Sequence, residues 1–127
     1  MRICIDLDGV IAQFKQPGQT YADVAVVDGA RERLVALRAA GHTIIIFTAR
    51  HMKTCGGNAA LAVARIGGQT LDWLARHDIP YDEIQFGKPW ADVYIDDNAL
   101  RFRSWADIAA DGANLPRSTE CSLVDAG

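Results

Sequence analysis

Asp6, Asp8, Thr48, Lys88, Asp96 and Asp97 are the side chains of this sequence whose types and placement suit shared chemistry. The first two interrupt "ICIDLDGVIA" (3–12), a stretch otherwise fit for the interior of a sheet, and carboxylates are almost never buried without a partner. Four carboxylates in one crevice repel: two unit charges about 4 Å apart cost about 4 kcal/mol at an effective dielectric near 20. A hard divalent cation relieves this with oxygen ligands. Mg²⁺ takes one or two carboxylates, keeps several waters and completes its shell with substrate phosphate. Lys88 and the Thr48 hydroxyl would add a positive charge and a donor for phosphate oxygens. A nucleophilic carboxylate, a second carboxyl to move protons, a metal and a lysine make a phosphoryl-transfer site. Singly, each residue has a plainer reading. The aspartates can be turn formers, Thr48 a strand terminus and Lys88 a solvated loop lysine. It is their combination at successive strand ends that points to one site.

The elements that must position these groups follow from the apolar pattern. Residues 2–7 and 42–48 ("HTIIIFT") predict strands, the second a β-branched run ending on Thr48. Residues 10–27, with the turn pair Pro17 and Gly18, predict a loop or short hairpin. Asp28 can cap a helix carrying Ala30, Leu34 and Leu37 on one face and stopped by Gly41. Residues 49–58 read as a loop. A helix follows over 59–77, broken at Gly67 and Gly68 and ending before Pro80. Short strands are expected at 83–86 and 92–96. Ser104 and Asp107 resemble a capping box for a last short helix near 105–110.

This alternation predicts an α/β, Rossmann-like core over residues 1–110, with a mainly parallel sheet and helices on both faces, followed by a polar tail over 111–127. In such a sheet ligands bind beyond the carboxyl ends of the strands, where these groups would converge. One link is awkward: the five residues 87–91 are too few for the usual crossover between the third and fourth strands.

The 127-residue length suits one domain with a real core. A net charge of −3 gives no reason to expect nucleic acid or an anionic membrane surface. No apolar run approaches the length of a membrane span, and no signal peptide is expected before the first strand. The three cysteines lack metal-ligand spacing and read as reduced thiols of a cytoplasmic protein.

"DLDGV" (6–10), "IIFTAR" (45–50) and "GKPWADVYIDDNA" (87–99) resemble the motifs of the haloacid-dehalogenase superfamily of phosphohydrolases. The likeness spans residues 3 to about 105. "TARHMKT", "TLDWL" and "IPYDEIQFGKPWADVYIDDNALRF" are similar to small phosphatases of that superfamily linked to capsular polysaccharide and sugar-phosphate metabolism. The resemblance implies that Asp6 is the nucleophile forming an aspartyl-phosphate and Asp8 the general acid and base. It implies that the Asp6 carboxylate, the Asp8 carbonyl and Asp97 hold Mg²⁺, with Asp96 a direct or supporting ligand. Thr48 and Lys88 would clamp the phosphoryl group, with Ala49 and Arg50 beside them as substrate contacts.

Gap 11–27 is too short for the inserted cap domain common in that superfamily, and gap 51–80 is filled by a loop and helices the core needs, so the core is expected to be capless. A homo-oligomeric partner would then shield the site. The implied activity is hydrolysis of a small phosphorylated metabolite, a sugar or polyol phosphate. A 5′-nucleotidase and a non-catalytic interaction domain of the same superfamily are the alternatives. In the loop after Thr48, Arg50, His51 and Lys53 could meet a substrate's anionic or hydroxyl groups, or form a solvated basic loop. Cys55 could be a nucleophile but is redundant beside Asp6. Trp73 reads as core, Trp90 as core or pocket wall, and His42 and His77 as structural or exposed.

Overall fold

Three consecutive isoleucines between Thr43 and Phe47 favour extended backbone and an interior position. In the computed structural model, which describes residues 1–117, they lie in β2 (Thr43–Thr48), and all three are buried. Strand β1 (Arg2–Asp6) pairs with one side of β2 and β3 (Glu83–Phe86) with the other, both in parallel, giving the order β1-β2-β3. Helix α1 (Ala30–Ala39) connects β1 to β2, and α2 (Ala59–Arg76) connects β2 to β3. The α/β class and the parallel sheet follow the sequence pattern. The register aligns Asp6 with Phe47 and Thr48 with Phe86, so the three strands end together.

Helix α1 buries Ala30, Leu34 and Leu37, the face its spacing predicts. Its N-cap is Gly29 rather than Asp28, and no side chain caps it. Helix α2 starts at Asn58, whose side chain accepts from the Leu61 amide. It runs unbroken through Gly67 and Gly68, contrary to the expected break. The glycine cost of about 1 kcal/mol each is offset by the buried face of Ala62, Ile66, Thr70, Trp73 and Leu74. Trp73 is fully buried, and its indole N–H donates to the Val24 carbonyl at 2.9 Å, tying α2 to the segment after β1. A 3₁₀ turn at Trp105–Asp107 replaces the expected last helix, with the Ser104 hydroxyl accepting from the Ala106 amide. Of the polar tail, Leu115 packs against the core and the Asp111 carbonyl bonds His42 at 2.7 Å. Residues 118–127, Cys121 among them, lie outside the described residues.

Asp82 pins the opposite end of the sheet. Its carboxylate accepts from the Ile44 amide and from Arg38, each at 2.8 Å, joining α1, β2 and the entry to β3. The Ile44 amide, then Arg38, holds this carboxyl below its ordinary pKa. A depressed folded-state pKa stabilises the fold above the unfolded-state value, and that contribution disappears as pH falls through the folded value. Asp82→Ala is therefore expected to lower the melting temperature at neutral pH. Melting curves of the two proteins should converge in strong acid, and a constant gap would contradict the linkage.

The expected strand at 92–96 does not form. The link 87–91 is too short for a crossover of the dozen or more residues that parallel neighbours need. Residues 92–96 instead run over the surface without regular structure, leaving Val93 69% and Ile95 95% exposed.

Candidate active site

Leu7 is fully buried, so the backbone alternation that sinks it turns Asp6 and Asp8 away from the core. Beyond them the chain doubles back at once. The Leu7 carbonyl accepts from the Ile11 and Ala12 amides at 2.9 Å, and Ala12 bridges Val26 in antiparallel fashion. Gly9 permits the turn: its φ is +87°, and a Cβ there would stand 2.4 Å from the Phe14 ring. The backbone is what disfavours a side chain here, because the exposed Phe14 ring can swing aside. The 10–27 segment, expected as a loop or short hairpin, is a series of turns pinned at its base beside the two aspartates by single bridges at Ala12.

Asp6 sits at the carboxyl end of β1. One carboxylate oxygen accepts from the Leu7 amide at 2.8 Å, and the other lies 3.6 Å from Lys88 Nζ. Burial pushes the Asp6 pKa up, against the lowering pull of Lys88 and the Leu7 amide, and Asp8 adds to the rise. Lys88 reaches it because Gly87, at φ +88°, turns the chain after β3 where a Cβ would come within 2.9 Å of Ala59 Cβ. The Lys88 amide then donates to the Thr48 carbonyl at 3.1 Å. Thr48 is buried, and its hydroxyl oxygen accepts from the Arg50 amide at 3.1 Å, a bond that leaves the hydroxyl hydrogen free of that contact.

Asp8 is held differently. Arg50 Nε lies 3.2 and 3.1 Å from its two oxygens and Nη2 2.9 Å from the first, a forked ion pair. The Arg50 side chain has no exposure and that of Asp8 has 23%. Arg50 Nη1 bonds the Thr70 hydroxyl at 3.3 Å, and the Tyr21 ring lies 4.3 Å from the guanidinium carbon. Arg50, expected to reach out to a substrate, is therefore buried and engaged with Asp8. Tyr21 and Thr70 complete this cluster and were not singled out from sequence. Thr70 had a signal, a polar residue in the i, i+4 series on the buried face of α2 between Ile66 and Leu74. Tyr21 had none, since its position depends on the fold of an irregular segment.

Asp96 and Asp97 are exposed, and the structure does not bring them to Asp6 and Asp8. Asp96 is hydrogen-bonded with Asp97 and accepts from the Asn98 and Asp97 amides, which holds its pKa low. Among the described residues no three His, Cys, Asp or Glu side chains gather as a metal-holding group. In the loop after Ala49, His51 adopts φ +61° and its Nδ1 is buried without a partner. Lys53 Nζ stands 4.8 Å from the centre of the Trp90 ring, and Lys88 Nζ 4.3 Å from that of Tyr94. Trp90 is 58% exposed, so it stands at the surface beside Lys88 and is not core. A surface depression of about 480 Å³ lies at the other end of the sheet, lined in part by Arg38, His42 and Asp82. It holds none of the strand-end groups, and the carboxyl ends are where open parallel sheets bind ligands.

No protein-family model matches the chain, and no curated protein matches it. The crystal structure of an MCSG target from Vibrio cholerae is similar, with a TM-score of 0.67 and 36% identity over 79% of this chain and 82% of that one. At that identity and coverage the two chains belong to one family.

Proposed function

We propose that this protein is a Mg²⁺-dependent phosphomonoester hydrolase of the haloacid-dehalogenase type, acting on a small phosphorylated metabolite such as a sugar or polyol phosphate. The observation that carries the reading is Asp6, a half-buried carboxylate at a strand end, with Lys88 Nζ at 3.6 Å and Asp8 two residues on. Asp6 attacks phosphorus and forms an aspartyl-phosphate as the alcohol leaves. Lys88 and the Thr48 hydroxyl neutralise and orient the phosphoryl oxygens. Asp8, in its protonated form, gives its proton to the leaving oxygen, and the carboxylate so formed, facing Arg50, then takes one from the water that hydrolyses the acyl-phosphate.

The donors available for a metal are all oxygens, the type Mg²⁺ takes: the Asp6 carboxylate, the Asp8 carbonyl and Asp97, with Asp96 beside it. When bound there, Mg²⁺ would offset charge on the phosphoryl group and orient it for in-line attack. Asp97 reaches such a site only if residues 89–97 move while Lys88 stays at Asp6, since Asp97 now stands in solvent. The core is read as capless, with helices on both faces of the sheet, in a cytoplasmic protein. A second copy of the chain would close the site against water. No helix among the described residues is long and apolar enough to cross a membrane.

Chelation by EDTA is expected to stop phosphate release, Mg²⁺ to restore it and Ca²⁺ to restore it poorly, because Ca²⁺ takes more ligands at longer, looser distances. Mg²⁺ should also slow amide hydrogen exchange at Val93 and Ile95 as Asp97 is drawn in. Full activity after exhaustive chelation, or unchanged exchange, would remove Asp97 from the metal. The deciding experiment for the activity is phosphate release from a panel of sugar, polyol and nucleoside monophosphates with Mg²⁺. Preference for nucleotides would favour the nucleotidase alternative, to which the exposed Trp90 and Tyr94 rings could offer a stacking face. No release from any compound would leave the non-catalytic domain.

A further inference from the structure

We propose that Arg50 is the positioning residue for Asp8: it acts on the leaving group only through that carboxylate and does not bind substrate. The inference rests on the proposed phosphatase activity and deepens it. Three observations carry it. The Arg50 side chain has no exposure, so it presents no face to a ligand in solvent. Its contacts with Asp8 are forked, at 2.9 to 3.2 Å, which fixes the plane of the carboxylate as well as its place. Its remaining contacts are also within the protein: Thr70 on α2 meets Nη1, and the Tyr21 ring stands over the guanidinium. Thr70 is itself held, its hydroxyl donating to the Ile66 carbonyl at 2.8 Å. Asp8 lies beyond the end of β1, where a bridge to Ala12 holds its backbone; the arginine restrains its carboxylate, from β2's side of the crevice.

A proton donor must stay within hydrogen-bond reach of the leaving oxygen, and a misplacement near 1 Å can lower a rate about 10²-fold. Aryl phosphates expel a phenolate that needs little protonation, whereas alkyl phosphates depend on the acid. The parameter to compare is kcat/KM, which reports events up to transfer of the phosphoryl group to Asp6. Arg50→Gln is expected to lower kcat/KM for an alkyl phosphate about 10- to 100-fold, the scale of a misplaced donor, while changing the aryl value less than about 3-fold. Arg50→Lys keeps the charge but loses the fork, and should fall between Arg50→Gln and the parent. It also serves if Arg50→Gln folds poorly. In an Asp8→Ala background, Arg50→Gln should add little further loss, because the two residues act as one unit.

Equal losses on aryl and alkyl substrates, or losses that multiply with Asp8→Ala, would mean that Arg50 binds substrate or merely supports the fold, and would overturn the inference while the activity stands. If the unmodified protein hydrolyses neither substrate, the activity and the inference fall together.

Discussion

Asp6→Asn is expected to remove turnover altogether while leaving a folded protein. An amide cannot form the acyl-phosphate, and loss of a nucleophile in a well-studied hydrolase costs on the order of 10⁶ in kcat. Neither a steady state nor a burst of leaving group should be seen with aryl phosphate. Stability should move the other way. Burial disfavours the Asp6 charge and raises its pKa, so the folded state holds the proton more tightly than the unfolded chain. That preference helps the fold in acid and is lost as pH rises from the ordinary carboxylate value, about 3.9, through the raised one. The asparagine does not titrate, so its advantage over the parent should open between acid and neutral pH. The lost contact with Lys88 subtracts little, because partly exposed ion pairs contribute about 0–1 kcal/mol. Substantial phosphate release by the purified variant would remove Asp6 from its role.

Asp8→Ala should fail in a different manner, in both rate and stability. Loss of the general acid and base is expected to slow turnover of an alkyl phosphate roughly 10²–10⁴-fold. With aryl phosphate the first step needs little acid, so a burst of aryl alcohol should precede a slow steady state set by hydrolysis of the aspartyl-phosphate. Rapid-quench measurement separates this from the burst-free Asp6→Asn. The same substitution strands Arg50, fully buried, without its carboxylate. Breaking a buried pair from one side costs about 3–5 kcal/mol, and the 23% exposure of Asp8 places the expected loss at the lower end. Asp8→Asn keeps an oxygen for the guanidinium and should unfold later than Asp8→Ala at a similar loss of rate. If the two variants melted together, the forked pair would not be what holds this corner.

The local structure of the chain was legible in its residues. The isoleucine run dictates β2, the spacing of Ala30, Leu34 and Leu37 gives α1 its buried face, and Asp6 and Asp8 belong at the strand end because burying them unpartnered inside the sheet would be prohibitive. The meeting of Lys88 with Asp6 was expected from the convergence of strand ends, and the turn at Gly87 just beyond β3 is what the structure adds to bring it about. Other features are decided by packing at long range. Helix α2 survives two glycines because its buried face outweighs their backbone entropy. The apolar 92–96 stretch has strand propensity, yet a pairing partner must be reachable, and the short link denies it one. Arg50 looks in the sequence like a loop cation free to meet a substrate. Only the fold brings Asp8, Thr70 and Tyr21, from three separate parts of the chain, around its guanidinium, and a buried charge takes the partner that removes its desolvation cost.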